Sequence, residues 1–372
     1  MKIKLAKTEL IHFIGIGGIG MSGLAQIMNN MKFTIQGSDL KRNINTDRLI
    51  KKGIKVHFGH NKKNLKKSTM IVISSAVKKN NKELLVAKNK KLPIFTRGEM
   101  LANIVALKKN IVVTGSHGKT TTTSLVANIL VEAGLEPTVI NGGVINSLKN
   151  NAQLGKGEWA VIESDESDGS FLKLPVTYSI VTNLDKEHLD FYGSFEKLKK
   201  SFIKFIEKTP SFGKSFVCVD DKNLKSLINR SKNKHYLTYG FNSNSNYQIT
   251  NFKKNAKNSI FDLKVKFAKE KIYKIKNLKV NLLGKHNIYN ATASIAVALN
   301  LGIKINKIKK ALKKFLGIQR RFTKVFSLGK RDFFDDYAHH PTEIREVLEG
   351  VKKVYKNYDK ICIFQPHRIS RL

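Results

Sequence analysis

The residues with the clearest chemical capacity lie in IVVTGSHGKTTTTS, residues 111–124. Gly118-Lys119-Thr120 has the ending of a phosphate-binding loop. Glycine lets the backbone turn, successive N–H groups point inward, a lysine meets the β- and γ-phosphates, and a hydroxyl meets Mg2+. The common spacing G-x-x-x-x-G-K-[ST] asks for glycine at position 113. Val113 stands there, and the glycine comes later, at Gly115. An apolar strand precedes the loop and a helix follows it. The pattern therefore argues for ATP binding through a loop with a shifted first glycine, with Gly115, Ser116, His117, Gly118, Lys119, Thr120 and Thr121 as candidate contacts. The bland alternative makes Lys119 one lysine among many and Thr121–Thr123 a plain helix start.

Two further stretches place reactive groups after apolar strands, where open α/β sheets bind ligands. VIESDESDGSF carries Glu163, Asp165, Glu166 and Asp168. One carboxylate is expected to hold Mg2+ against phosphates, and most of the four are expected to be surface acids paired with lysines. VTNLDKEHLDFYG brings Asn183, Asp185 and His188 to the same edge, with His188 as metal ligand or hydrogen bonder against the alternative of a plain loop histidine. QRRFTK and DDYAHHPTE supply Arg320, Arg321, Asp336, Tyr337 and His339. An arginine there can neutralise a transferring phosphoryl group; a plain helix N-terminus near Thr342 is the alternative for the second motif.

Nearer the N-terminus, Gly15, Gly17, Gly18 and Gly20 form G-x-G-G-x-G between a strand and a helix, and Asp39 ends the next strand. This is a diphosphate-binding arrangement, with Asp39 facing a ribose hydroxyl. The motif leaves the diphosphate open, with NAD as the default, and a tight turn without ligand is the alternative.

The elements that must position these groups alternate strand and helix, which argues for parallel sheets covered by helices. The expected class is α/β, in three segments with boundaries near residues 107 and 317. The last segment ends directly after a strand and its loop, and it reads as truncated. Tyr247–Lys276 reads as short antiparallel strands. The 372 residues are 41% hydrophobic and 26% charged, ordinary for a globular protein. The balance of 68 Lys+Arg to 28 Asp+Glu, net +40, suggests a polyanion partner. The lysines are spread along the whole chain, however, and KIKKALKK reads as the solvated face of an amphipathic helix, so no nucleic-acid partner is expected. Cys218 in SFVCVD and Cys362 in KICIF sit in apolar runs that read as buried strands, and so as buried thiols of a reducing cytoplasm. No stretch approaches the length of a membrane span, so no membrane insertion is expected.

In order, HFIGIGGIGMSGLA, TGSHGKTTTTS, ESDESDGSF, TNLDKEHLDFY, GKHNIYNATASIAVA, RRF, DDYAHHPTE and FQPHR together resemble the Mur ligases of peptidoglycan synthesis, from about residue 10 to the last residue. The resemblance is strongest to the branch that joins L-alanine to UDP-N-acetylmuramate. It implies a Rossmann-like domain over 1–107 that binds the UDP-sugar, a central P-loop ATPase-like domain over 108–317 and an incomplete Rossmann-like domain over 318–372 that binds the amino acid, in a cytoplasmic, ATP- and Mg2+-dependent ligase, monomeric or homodimeric, serving cell-wall synthesis, cell shape and division. The Gly15–Gly20 loop would then hold a UDP diphosphate and not NAD. ATP would phosphorylate the muramate carboxylate, and the amine of L-alanine would attack the acyl phosphate. Residue by residue, it implies Lys119 on the β/γ-phosphates, Thr120, Glu163 and His188 on the metal, and Asn287 and Asn290 beside the nucleotide. Arg321 matches the family arginine, Asp336 the acid on the nucleotide ribose, and Tyr337 or His339 an adenine contact. His339, His367 and Arg368 face the amino acid. Some relatives use a carbamylated lysine, for which EKLKKS offers Lys197, Lys199 and Lys200 without distinguishing them. A recycling ligase that attaches a preformed peptide to the same sugar, and a nucleotide-binding remnant without turnover, are the alternatives.

Overall fold

The computed structural model describes residues 9–147, 150–231, 235–254, 258–266 and 272–365. The first sheet contains β1 (Leu10–Ile14), β2 (Thr34–Asp39), β3 (Lys55–Phe58), β4 (Met70–Ile73) and β5 (Ile94–Thr96). Their order is β3-β2-β1-β4-β5, and all pairs are parallel. The connecting helices are α1 (Ile19–Asn30), α2 (Ile44–Lys51), α3 (Lys82–Asn89) and α4 (Arg97–Val105). Asn43, Asn81 and Thr96 cap α2, α3 and α4 with their side chains, supplying acceptors for N–H groups that a helix start leaves unmet.

A buried carboxylate ties this sheet to the loop after β3. Glu83 accepts hydrogen bonds from Ser38 Oγ (2.5 Å), Asn64 Nδ2 (2.6 Å) and the Asn61 N–H (3.3 Å), and faces His60 Nδ1 at 3.1 Å. Burial acts to raise its pKa, but the hydrogen bonds from His12, Ser38 and Asn64 prevail and hold it at about 2. A depressed carboxylate stabilises the fold above its unfolded pKa, 4.5, and that stability is lost as pH falls through about 2. Glu83→Ala strands several buried donors and is expected to cost about 3 kcal/mol, read as faster amide exchange in β1 and β2.

The second sheet is larger. Its strands are β6 (Lys109–Thr114), β7 (Thr138–Ile145), β8 (Asn150–Gln153), β9 (Trp159–Glu163), β10 (Tyr178–Val181), β11 (Lys214–Cys218), β12 (Tyr236–Gly240), β13 (Tyr247–Lys254), β14 (Ser259–Lys266) and β15 (Ile272–Val280). The order is β15-β14-β13-β12-β11-β10-β6-β9-β7-β8. The centre is parallel, and β13–β15 form the antiparallel flank read from the sequence. In β14, buried and half-buried residues alternate strictly, the period of a strand with one face on the core. Helices α5 (Lys119–Ala133), α6 (Leu189–Tyr192), α7 (Phe195–Glu207), α8 (Lys222–Arg230), α9 (Lys285–Asn300) and α10 (Ile305–Lys314) cover it. In α10, Ile308, Ala311 and Leu312 are buried, with lysines between them. The first sheet docks through α1: Asn151 Nδ2 donates to Ile19 O at 2.9 Å, and Gly23 lies against Ala152.

The last segment forms a hairpin, β16 (Thr323–Leu328) and β17 (Arg331–Asp335), followed by α11 (Pro341–Val354). One expectation is overturned here. Cys218 is buried, but Cys362 is exposed, and KICIF is not a strand: Ile361 is 91% and Ile363 92% exposed. An apolar run becomes a strand only when a neighbouring strand meets its backbone groups, and among the described residues none does.

Candidate functional site

The middle of the large sheet runs β10-β6-β9, so the loops leaving these strands' carboxyl ends converge. The loop after β6 is the phosphate-loop sequence. Gly115 (φ +133°) and Gly118 (φ +80°) take conformations that disfavour other residues. The segment after β10 grips the loop. Ser116 N donates to Asn183 O (3.1 Å) and His117 N to Asn183 Oδ1 (2.7 Å), while Thr182 Oγ1 donates to His117 O (2.7 Å). Ser116 Oγ accepts the Asp185 N–H at 2.8 Å. Helix α5 begins at Lys119, so its first-turn N–H groups and the positive end of its dipole face the space above the loop, an arrangement suited to an anion.

Lys119 is folded back onto its own loop. Its Nζ donates to Gly115 O (2.6 Å) and Ser116 O (3.1 Å) and pairs with Glu166 at 2.9 Å. Burial works against its charge, but Glu166, Asp165 and Glu163 outweigh that and hold the ammonium well above its usual pKa. Glu166 is 1% exposed, so it is not the surface acid expected of most of this run: an adjacent buried cation makes its burial tolerable. Asp165 and Asp168 instead accept from Ser167 N and Ser170 N and shape the loop after β9.

The candidate metal ligands fall into two groups, Glu163 with Thr120 and His188 with Glu166. Glu163 Oε1 accepts the Thr120 hydroxyl at 3.0 Å, and Oε2 accepts the Gly142 N–H. Burial raises the Glu163 pKa against the pull of Gly142 and Lys119. His188 does not join Glu163. Its Nε2 lies 3.4 Å from Glu166 Oε1, and ligand atoms of Asp165, Glu166 and His188 all lie within 4.8 Å of one another. Glu166 raises the His188 pKa. Carboxylate and hydroxyl oxygens beside a phosphate loop suit Mg2+, and burial already penalises the charged form of Glu163, which a cation would relieve.

A cleft of about 790 Å³ opens between this edge and the last segment. His117, Gly118 and Thr121 line its polar end; Leu282, Leu316, Phe322, Phe334, Val347 and Val351 line an apolar part. Phe322 and Phe334 stack at 4.5 Å. Asn287, Asn290, Arg321 and Asp336 line the same cleft. Asn290 Nδ2 donates to Asn287 Oδ1 at 3.2 Å, and a Cβ on Gly118 would sit 2.6 Å from Asn290 Oδ1. Asp336 accepts from Phe322 N and Ala338 N, both at 2.7 Å. Tyr337 lies beneath Arg320 and Arg321, whose guanidinium carbons are 5.0 and 5.7 Å from its ring, and His339 packs beside it at 5.2 Å. His367 and Arg368 lie outside the described residues.

At the other glycine loop, Gly15 has φ +81° and Gly18 opens α1. Gly20 lies against Arg97. Asp39, expected to face a ribose, meets this turn with one carboxylate oxygen: Oδ2 accepts Gly17 N (2.7 Å), while Oδ1 accepts the N–H of the next residue, Leu40 (2.8 Å). Sequence reasoning missed Glu343, which reaches His117 from α11. Its position four residues after His339 gives no signal that it touches a loop 226 residues away.

A strand, glycine loop, lysine–threonine pair and helix, faced by acids from the two flanking strands, define a phosphate-loop nucleotide enzyme of the α/β class. The chain belongs to the Mur ligase family. Residues 10–109 match the model of the Mur ligase family, catalytic domain, and residues 113–298 that of the Mur ligase middle domain. Over all 372 residues the chain is 61% identical to a UDP-N-acetylmuramate–L-alanine ligase of Pelagibacter ubique, spanning 80% of that protein. The crystal structure of the UDP-N-acetylmuramate–alanine ligase of Thermotoga maritima superposes with a TM-score of 0.84 at 31% identity, covering 96% of this chain and 81% of that one. A ligase of Neisseria meningitides that takes UDP-N-acetylmuramate and a tripeptide gives a TM-score of 0.74 at 27% identity, over 84% of this chain and 99% of that one. Among the described residues no helix is long and apolar enough to cross a membrane.

Proposed function

We propose that the protein ligates L-alanine to the carboxylate of UDP-N-acetylmuramate at the expense of ATP, in the cytoplasm, as a step of peptidoglycan precursor synthesis. The 61% identity over the whole chain to a ligase of that name is the observation that carries the reading. The higher identity and TM-score of the alanine ligases over the tripeptide ligase favour it over the recycling reaction.

The division of labour follows the three segments, 1–107, 108–317 and 318–372. The first takes the UDP-sugar at the Gly15–Gly20 turn. The second takes the ATP phosphates at Gly115–Thr121, and the third, with Arg321 and Asp336, closes over the nucleotide. The apolar part of the cleft suits a flat base, and the loop N–H groups at the polar end suit phosphates. Lys119, which pairs with Glu166 beside the loop, meets the β/γ-phosphates. A carboxylate oxygen of the sugar attacks the γ-phosphorus, the bond to the β-phosphate oxygen breaks, and ADP leaves. The alanine amine then attacks the acyl carbon, phosphate departs with the C–O bond, and the nitrogen loses a proton. Lys119 and Arg321 offset charge that builds as two anions approach. Thr120 and Glu163, with His188 beside Glu166, would hold Mg2+, which neutralises phosphate charge.

Phosphate release with ATP, UDP-N-acetylmuramate and single amino acids tests the reaction: L-alanine should support turnover and the tripeptide should not. Turnover independent of the UDP-sugar would refute it. Removing divalent cations with a chelator should reduce phosphate release to background, and Mg2+ should restore it. Glu163→Gln, nearly isosteric, should raise the Mg2+ concentration needed for half-maximal rate by about tenfold or more.

A further inference from the structure

His117 differs from its neighbours in the phosphate loop because its ring joins two parts of the molecule. The side chain is 14% exposed, and both ring nitrogens face carboxylates. Nε2 lies 3.0 Å from Asp185 Oδ2, on the loop after β10. Nδ1 lies 3.2 Å from Glu343 Oε1, in the first turn of α11 across the cleft. A neutral imidazole has one N–H and cannot donate to both, so this geometry selects the doubly protonated ring. The surrounding groups agree. Glu187 Oε1 is 3.8 Å from Nε2. The His340 ring is 4.9 Å away, its Nδ1 accepting the Thr342 N–H at 3.3 Å and its Nε2 turned to Glu187 at 3.5 Å. Burial would lower the His117 pKa, but Asp185 and Glu343 outweigh it and hold it at about 9. Burial would likewise raise Glu343, but His117 and Arg321 hold it at about 2. Burial and the charge on His117 lower His340, leaving one charged and one neutral ring. Thr342 Oγ1 adds a further bond to Asp185 Oδ2, at 3.1 Å.

We propose that Glu343 is a positioning residue for ATP: through the His117 imidazolium it ties the phosphate loop to α11 and fixes the two walls of the nucleotide cleft relative to each other. The inference rests on the nucleotide reading above. The connection is short on both sides. The main chain of His117 is held by Thr182 and Asn183 and runs directly into Gly118, so a load on its ring reaches the turn that presents N–H groups to phosphate. One and two turns beyond Glu343, Val347 and Val351 line the apolar part of the cleft. The clasp thus links the phosphate end to the base end. A divalent metal between His117, Asp185 and His340, whose ligand atoms lie within 4.8 Å of one another, is the competing use of these groups. His340 speaks against it: its Nδ1 accepts the Thr342 N–H, so the neutral ring keeps its proton on Nε2 and neither nitrogen offers a metal a free lone pair.

The test is calorimetric titration of ATP with Mg2+, and separately of UDP-N-acetylmuramate, into the protein and its Glu343→Gln, Glu343→Asp, His117→Gln and His117→Gln/Glu343→Gln variants. Glu343→Gln should weaken ATP binding about tenfold, within the usual range of coupling between sites, and Glu343→Asp should recover part of it. The double variant should bind no more weakly than His117→Gln alone, because the two residues act through one contact. UDP-sugar binding should be unchanged throughout, which also shows that each variant is folded. Should Glu343→Gln fail to fold, the Glu343→Asp and His117→Gln pair carries the comparison. ATP affinity indifferent to Glu343, or strict additivity of the two losses, overturns the proposal. Zn2+ binding to the unsubstituted protein that is lost in His340→Ala and retained in Glu343→Gln overturns it in favour of a metal tie. An unsubstituted protein that binds the UDP-sugar but not ATP overturns the nucleotide reading, and this role with it.

Discussion

Lys119→Ala should reduce phosphate release by about 10³-fold, the scale of losing one charge-stabilising group at a phosphoryl-transfer site, while UDP-N-acetylmuramate binding is retained. The separation is expected because the lysine belongs to the β6 loop of the large sheet and the Gly15–Gly20 turn to the other sheet. The substitution also carries a stability cost. Glu166 is 1% exposed and pairs with Lys119 at 2.9 Å. Breaking a buried pair by removing one partner costs about 3–5 kcal/mol. Lys119→Ala/Glu166→Gln should therefore recover much of the lost thermal stability without recovering turnover. Thermal melts and phosphate release on the same samples separate the two effects. A double variant that regains turnover would contradict a direct role of Lys119 on phosphate.

Gly115→Ala should be nearly as damaging, for a steric reason. A methyl at this position would lie 2.1 Å from Thr182 Oγ1 and 3.0 Å from both Thr182 N and Asn183 O, and φ is +133°. The neighbours cannot withdraw cheaply, because Thr182 Oγ1 and Asn183 are the groups that hold His117 in the loop. A backbone conformation of this kind costs a non-glycine residue about 1–3 kcal/mol before any clash is counted. ATP affinity should fall by at least about 100-fold, measured by calorimetry, with UDP-sugar binding unaffected. Val113→Gly, which restores the commoner spacing, should bring no gain: Val113 is fully buried in β6 and pairs with Ile180 of β10 and Glu163 of β9.

That contrast locates what could be read from residues alone. The chemistry of the β6 loop was legible because glycine, lysine and threonine are needed in a fixed order between a strand and a helix, and all these signals are local. The alternation of apolar strands with helices was legible for the same reason, as was the antiparallel flank at β13–β15, where burial alternates residue by residue along β14. KICIF was misread because an apolar run carries no information about whether a partner strand reaches it. The acidic run after β9 was misread in part, since sequence does not distinguish Glu166, enclosed beside Lys119, from Asp165 and Asp168, which turn back to cap their own loop.

The sequence by itself determined the loop types, the class of fold and the identity of the reactive groups, because each depends on residues within one or two turns of each other. Only the tertiary structure decided which groups share a site. It set Glu163 with Thr120, His188 with Glu166, and His117 with Glu343. Those pairings depend on strand order and on how the last segment docks, and so on contacts between residues far apart in the chain.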